Sequence, residues 1–338
     1  MRDKNMLNYK EFNNCVTKIN QWYRKQSKVL TVTTSPYNTT LIYSSIISEV
    51  ISQNGKILYI WGEELGNREL INNIKLKNNK VTYKFLKSGE ADLDITFTSF
   101  KNIINIRGYY DLCIIDDISM FSLMSKENII ELVEGMYLYN KRIIIYSVEK
   151  VVAIGERLDL SSVVAKRPFV EPRIIKTRIN LEEDIPYALY EYLKWFRDNK
   201  RRVTIYVPTL DKVKKIYDYY NEMLKVENVK LVAFTRGEST RELEKVMNIK
   251  DRSVFIITNY YGHYLHNINN LDIVMLFSDN RFYSYKKILY LCAEAGKDNE
   301  KSGEVLMVSR DVSSDMEISK TISRDFNKKI WEKGLLRY

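Results

Sequence analysis

The chain has 338 residues, 45% hydrophobic and 28% charged, with only 12 Gly and 5 Pro, a balance that excludes fibrous and disordered classes. Single cores usually stop growing before about 250–300 residues, so two domains are expected. The 53 Lys and Arg exceed the 43 Asp and Glu by ten, which favours an anionic partner such as DNA, RNA or a phosphate-bearing surface, although Lys, Asn, Ile and Tyr also share A/T-rich codons.

Met1 to Lys28 is polar and charged and predicts a helical extension over residues 1–27. It lacks the apolar core of a signal peptide, and no later apolar run reaches the ~18 residues of a membrane span, so a cytoplasmic location without membrane insertion is expected. Cys15, Cys113 and Cys292 are odd in number and far apart, which predicts buried or free thiols rather than a disulfide framework or a zinc ribbon.

Short runs rich in β-branched or aromatic residues follow at Val29–Thr33, Ile57–Trp61, Ile95–Thr98, Leu112–Ile115 and Arg142–Ser147. Between them, Thr40–Gln53 and Lys126–Tyr139 carry apolar residues at helical spacing, Leu41, Ile46, Ile47 and Val50 in one and Ile129, Ile130, Leu132 and Val133 in the other. Strands alternating with helices predict a parallel sheet wrapped by helices. Ser161–Pro172, with Pro168 and Pro172 and no periodicity, marks a boundary between residues 28–165 and 166–338. The pattern restarts with strands at Arg173–Ile179, Arg202–Val207, Val229–Phe234, Ser253–Thr258, Leu271–Phe277 and Gly303–Val308, and helices at Asp184–Asn199, Leu210–Lys225, Thr240–Asn248 and Ser284–Ala295. Ser314–Leu336 predicts a long helix bearing Lys320, Arg324, Lys328, Lys329 and Lys333, either a solvated surface or a grip on nucleic acid.

Ligands of parallel α/β sheets gather at the carboxyl ends of the strands. After Val29–Thr33 the turn Thr34-Ser35-Pro36-Tyr37-Asn38-Thr39-Thr40 opens a helix, where a phosphate-binding loop would lie. It has no glycine to let backbone amides wrap phosphates and no Lys to neutralise them, and Pro36 removes a donor. Thr39 or Thr40 would either ligate Mg²⁺ or cap the helix. The strand Leu112–Ile115 runs into Asp116-Asp117-Ile118-Ser119, and carboxylates at a strand end hold Mg²⁺ and activate water, or cap a solvated loop. His263 and His266 have no nearby Cys and distant acids, so no metal site is expected there. Asp272 begins a strand and is expected to be structural. Tyr217-Asp218-Tyr219-Tyr220 and Asn259-Tyr260-Tyr261 serve either packing or base stacking.

In order and spacing, Asp111-Leu112-Cys113-Ile114-Ile115-Asp116-Asp117, Val203-Thr204-Ile205-Tyr206-Val207-Pro208-Thr209, Leu271-Asp272-Ile273-Val274-Met275-Leu276 and Gly303-Glu304-Val305-Leu306 form a series. The series resembles the core of superfamily 2 (DEAD/DEAH-type) helicases, most closely the ComFA family of late-competence DNA-translocating ATPases. The resemblance implies an α/β fold of two RecA-like parallel-sheet lobes in tandem. In that family the first loop reads Gly-x-Gly-Lys-Thr. Here Ser35 and Tyr37 stand at the glycines, Asn38 at the Lys and Thr39 at the Thr. Asp116 matches the metal-organising Asp, and Asp117 replaces the Glu that polarises water, one methylene shorter. The late arginine motif aligns with Tyr290-Leu291-Cys292-Ala293-Glu294-Ala295-Gly296-Lys297, so Glu294 and Lys297 take the arginine positions. Lys lacks the planar fork of Arg, a carboxylate repels a triphosphate, and loss of an arginine finger alone costs ~10³–10⁵ in rate. The family's four-cysteine zinc module is absent, so no zinc is expected.

Three separate lesions imply a pseudoenzyme: a helicase-like, DNA-binding scaffold in DNA uptake or processing, partnering an active translocase or other competence proteins. Any surviving ATP would be cradled by Thr34, Ser35, Asn38 and Thr39, with Mg²⁺ on Asp116 and Thr39 and Lys297 facing it. Lys212, Arg236 and Arg241, near the starts of second-lobe helices, are the candidate phosphate contacts for single- or double-stranded DNA. Two rival readings are an active, divergent DNA-dependent ATPase with Asp117 as base, and a protein-interaction module with neither ligand.

Overall fold

The computed structural model describes residues 2–25, 27–122, 124–161, 167–224, 227–261, 268, 271–297 and 302–335. The chain divides into two units, Met1–Ala165 with Lys329–Leu335, and Lys166–Lys328. Residues 162–166 of the expected boundary, and His263 and His266, lie outside the described residues.

The first unit runs α1 (Arg2–Arg24), β1 (Val29–Thr33), a 3-10 turn Leu41–Tyr43 leading into α2 (Ser44–Ser52), β2 (Ile57–Trp61), α3 (Arg68–Lys77), β3 (Tyr83–Phe85), β4 (Ile95–Ser99), β5 (Tyr110–Asp116), α4 (Lys126–Met136), β6 (Asn140–Ser147) and β7 (Glu156–Asp159). The sheet order is β3-β4-β2-β5-β6-β1-β7, and every pairing is parallel. Residues β1, β2 and β4 are buried throughout, as expected of parallel strands covered on both faces, which read as continuous apolar runs. Ile129 and Val133 of α4 pack against Cys113, Ile115, Ile143 and Ile145 on one face. α1 packs on α2, burying Cys15, Ile19 and Trp22.

The second unit runs β8 (Arg173–Lys176), α5 (Tyr187–Asp198), β9 (Arg202–Tyr206), α6 (Leu210–Tyr219) with a π-helical turn Tyr220–Leu224, β10 (Val229–Phe234), α7 (Thr240–Met247), β11 (Ser253–Thr258), β12 (Leu271–Leu276), α8 (Tyr285–Ala295), β13 (Val305–Ser309) and α9 (Ser314–Glu332). Its parallel sheet has the order β10-β11-β9-β12-β13-β8. Two apolar clusters cover its faces, one around Leu189, Leu193 and Phe196 of α5, the other around Ile288, Leu291 and Cys292 of α8. Asp272, at the start of β12, accepts from Arg201 at 2.5 and 2.9 Å and from the Glu304 amide at 2.7 Å, with both side chains almost fully buried. A charge pair hydrogen-bonded in this way is a structural staple of the strand ends.

Both units are therefore RecA-like α/β lobes. The sequence reading did not foresee α3, β3 or β7. α3 is short and polar, with only Leu70, Ile71 and Ile74 buried, and β7 is an edge strand of sequence ERLD without an apolar run. The cysteines are buried and free. No helix among the described residues is long and apolar enough to cross a membrane.

Candidate functional site

β1 lies between β6 and β7, so the loop Thr34–Thr40 emerges at the carboxyl edge of the first sheet. Its amides turn inward: Thr34 donates to the Ser147 carbonyl at 3.1 Å, Tyr37 to the Ile118 carbonyl at 2.9 Å and Thr39 to Asn38 Oδ1 at 2.9 Å. Asn38 Nδ2 donates to Thr34 Oγ1 at 2.7 Å, and Thr39 Oγ1 accepts the Leu41 amide at 3.1 Å, a local threonine turn. The expected capping is not made, since Thr40 stands at the N-cap of the turn Leu41–Tyr43 without a side-chain cap bond. Thr40 Oγ1 accepts from Asn67 Nδ2 at 3.2 Å. Thr34 and Ser35 are buried. Tyr37 adopts φ +59°, a left-handed conformation natural to glycine and strained for a bulky side chain. A ring thus sits on a glycine-like backbone.

Asp116 ends β5 beside this loop and Asp117 follows it, and neither reaches open solvent. Asp116 Oδ1 accepts the Ile118 and Ser119 amides at 3.2 and 3.0 Å, and Oδ2 accepts the Tyr59 hydroxyl at 2.5 Å and the Ser119 hydroxyl. A carboxylate has about four lone-pair sites, and all four here face protein donors. Burial pushes the Asp116 carboxyl above its ordinary range, against the pull of hydrogen bonds from Ser119, Tyr59 and the Ile118 amide. Asp117 Oδ1 accepts from Ser122 Oγ at 2.7 Å and Oδ2 from Ser147 Oγ at 3.4 Å. Among the described residues, no group of three or more His, Cys, Asp and Glu is placed to hold a metal ion.

A cavity of about 600 Å³ opens at the loop, walled by Tyr37, Asn38 and Thr39 on one side and Trp61, Asn67 and Glu69 on the other. Glu69 is the one charged residue among its described lining. A triphosphate would meet a carboxylate there and no described cation.

In the second unit, Lys297 contacts both oxygens of Glu294, at 2.9 and 2.8 Å. Burial lowers the Lys297 ammonium from its ordinary range, and Glu294 opposes the shift. Lys212 is paired with Glu182 and lies 4.0 Å from the Phe277 ring centroid. Arg236 and Arg241 are exposed. Because the sheet is parallel, Arg178 after β8, Arg236 after β10, Arg281 after β12 and Arg310 after β13 share its carboxyl edge with Arg241 on α7. All five are exposed and make no ion pair among the described residues. On α9, Lys320 and Arg324 are engaged with Glu171 of the same unit, and in the C-terminal stretch that belongs to the first unit Lys329 pairs with Asp159 and Lys333 with Glu11. Tyr261 stacks on Tyr206 at 4.7 Å, and Tyr220 is buried, so those rings pack within the unit.

Sequence reasoning singled out neither Tyr59 and Ser119 as the partners of Asp116 nor Trp61, Asn67 and Glu69 as cavity walls. One signal was present: a tyrosine inside a fully apolar strand must find a partner for its hydroxyl.

No family model and no curated protein matches the chain. Among solved structures, the E. coli DExH-box NTPase HrpB is similar at a TM-score of 0.52 and 11% identity, over 91% of this chain and 42% of that one. The Escherichia coli DEAH/RHA helicase HrpB is similar at 0.49 and 11%, over 90% and 43% of the two chains. The DUF1998 helicase MrfA bound to DNA is similar at 0.48 and 15%, over 95% and 48%. The chain spans less than half the length of each. At 11% identity, the likeness to the DExH-box NTPase at a TM-score of 0.52 is one of fold, that of tandem RecA-like lobes.

Proposed function

We propose that this chain is a helicase-like nucleic-acid-binding protein that does not hydrolyse nucleotide and serves as a scaffold in DNA uptake or processing. The observation that carries the reading is the saturation of Asp116. With donors on all four lone-pair sites, it has no direction left in which to organise Mg²⁺ or its water. The inward-turned loop amides and the engaged Lys297 support the same reading from both lobes. The resemblance to the ComFA family extends it to a cytoplasmic location, single- or double-stranded DNA as ligand and an active translocase or other competence protein as partner.

Nucleic-acid binding draws its support from the arginine row, Arg178, Arg236, Arg241, Arg281 and Arg310, since unpaired guanidiniums are available to phosphate. The deciding experiment titrates the protein with a fluorescent ATP analogue and Mg²⁺, with and without single-stranded DNA. DNA binding with steep salt dependence and no saturable nucleotide binding is the expected result. DNA-stimulated turnover at motor rates would sink the proposal.

A further inference from the structure

We infer that the cavity at the first-unit loop takes an organic cation, a guanidinium or ammonium group on a short apolar stem. The inference rests on the reading that no triphosphate is bound there. The cavity of about 600 Å³ adjoins a second of about 430 Å³, and the two share Leu41 and Glu69. Pockets of this size accommodate small organic ligands. Glu69, Asn72, Asn73 and Leu76 line the second cavity and follow the i, i+3, i+4, i+7 spacing of one face of α3. Leu76 is 86% exposed on that face, an apolar surface with no intramolecular burial.

The chemistry of the walls selects the ligand. Phe12, Tyr37 and Trp61 contribute rings, and Leu41 and Met120 contribute aliphatic surface. The polar side chains between them are bonded within the protein: Asn38 to Thr34, Thr39 to the Leu41 amide, Asn67 to Thr40 and to the Leu70 amide, Ser119 to Asp116. Glu69 has no hydrogen bond or ion pair among the described residues. In the second cavity, the Lys75 ammonium sits over the Tyr83 ring at 4.7 Å rather than on Glu69. An aromatic-lined space whose one open charge is the exposed Glu69 carboxylate favours a cation, through a charge-assisted hydrogen bond and through proximity to aromatic rings. A neutral ligand would desolvate the Glu69 carboxylate with nothing in return, and an anion would be repelled.

Tyr37 reinforces the assignment. Its positive φ is the one backbone conformation of the loop that strains an L side chain and suits glycine, and it bears a ring that walls the cavity. Strained residues of this kind mark sites where the side chain has a use. The cation has two sources: a free amine, or an Arg or Lys side chain of a partner segment whose neighbouring residues lie along the α3 face.

The test is calorimetric titration of the whole chain with agmatine, and separately with the peptide acetyl-Leu-Arg-Leu-amide, each with Mg·ATP as competitor. At least one cationic probe should bind saturably and resist displacement by Mg·ATP. Glu69→Gln should weaken binding by about tenfold, the worth of one charge-assisted contact, and Tyr37→Gly by about threefold or more, the worth of one cation–ring contact. Tyr37→Gly suits the backbone it enters, and circular dichroism verifies that both variants fold. Agmatine binding identifies a free amine as the source, and binding of the peptide alone identifies a partner side chain. Failure of both probes, or binding unchanged in the two variants, overturns the inference. If Mg·ATP also fails to bind, the non-hydrolysing reading stands alone, whereas displacement of the probe by Mg·ATP overturns both.

Discussion

The Tyr59 hydroxyl on β2 donates to Asp116 Oδ2 at the end of the neighbouring β5, at 2.5 Å, with both side chains buried. The contact turns an acid at the usual ligand edge of the sheet into an acceptor of the core. It joins the Ser119 hydroxyl and two backbone amides around the same carboxylate.

Tyr59→Phe leaves the shape of the core nearly unchanged and removes one donor from a buried carboxyl. The expected cost is about 1–3 kcal/mol, read from urea unfolding midpoints, with no Mg²⁺-dependent ATP hydrolysis gained. Hydrolysis appearing in this variant would mean that the tyrosine masks a working metal site.

The Arg201–Asp272 pair is 4% and 0% exposed at its side chains, so removing one partner strands the other charge away from water. Arg201→Met is expected to destabilise the second unit by about 3–5 kcal/mol. The double variant Arg201→Met/Asp272→Leu should recover much of that loss. If the single variant unfolds at the wild-type denaturant concentration, the pair is not a staple.

Asp159 on β7 supplies a pH dependence. Burial pushes its carboxyl up, but hydrogen bonds from Lys329, Thr33 and Arg157 outweigh this and hold it at about 2, below the ordinary 3.8. A depressed folded pKa adds stability that is fully present above pH 4 or so and is lost as pH falls towards about 2. Its side chain is 37% exposed, so solvent screening reduces the contribution to about 1 kcal/mol. Stability measured between pH 5 and 2 should fall less steeply in Asp159→Asn than in the wild type. Parallel curves would show that the carboxylate contributes nothing.

Among the candidate phosphate contacts, burial and pairing separate one from the others. Arg236→Glu and Arg241→Glu remove exposed cations without an ion pair among the described residues. Each should weaken binding to single-stranded DNA and lower the salt slope by about 0.7 per lost contact. Lys212→Gln breaks an intramolecular pair with Glu182 and should leave DNA affinity unchanged within about twofold while altering stability by less than about 1 kcal/mol. A Lys212 variant that loses DNA binding would reverse that order.

Much of the architecture is legible in the chain itself. β11 and β12 coincide with the apolar runs at Ser253–Thr258 and Leu271–Leu276 and are buried throughout, because parallel strands covered on both faces leave a nearly continuous apolar signature. α5 and α8 follow from apolar residues at helical spacing. β7 did not announce itself, since Glu156-Arg157-Leu158-Asp159 is polar and becomes a strand only through pairing with β1, more than a hundred residues earlier. α3 hides behind polar residues, yet Asn67 caps it and Glu69 brings it to the cavity.

At the candidate site the division is similar. The sequence alone determined that glycine and lysine are missing from the loop after β1 and that arginine is missing from 290–297, because the identity of a residue needs no coordinates. Tertiary structure decided that Tyr37 keeps a glycine-like backbone, that Tyr59 and Ser119 occupy Asp116, and that Glu294 holds Lys297. The reason is physical. Burial periodicity is local and is written along the chain, whereas the partner of a buried polar group is set by strand order and register, which bring together residues such as Tyr59 and Asp116 that the chain keeps 57 positions apart.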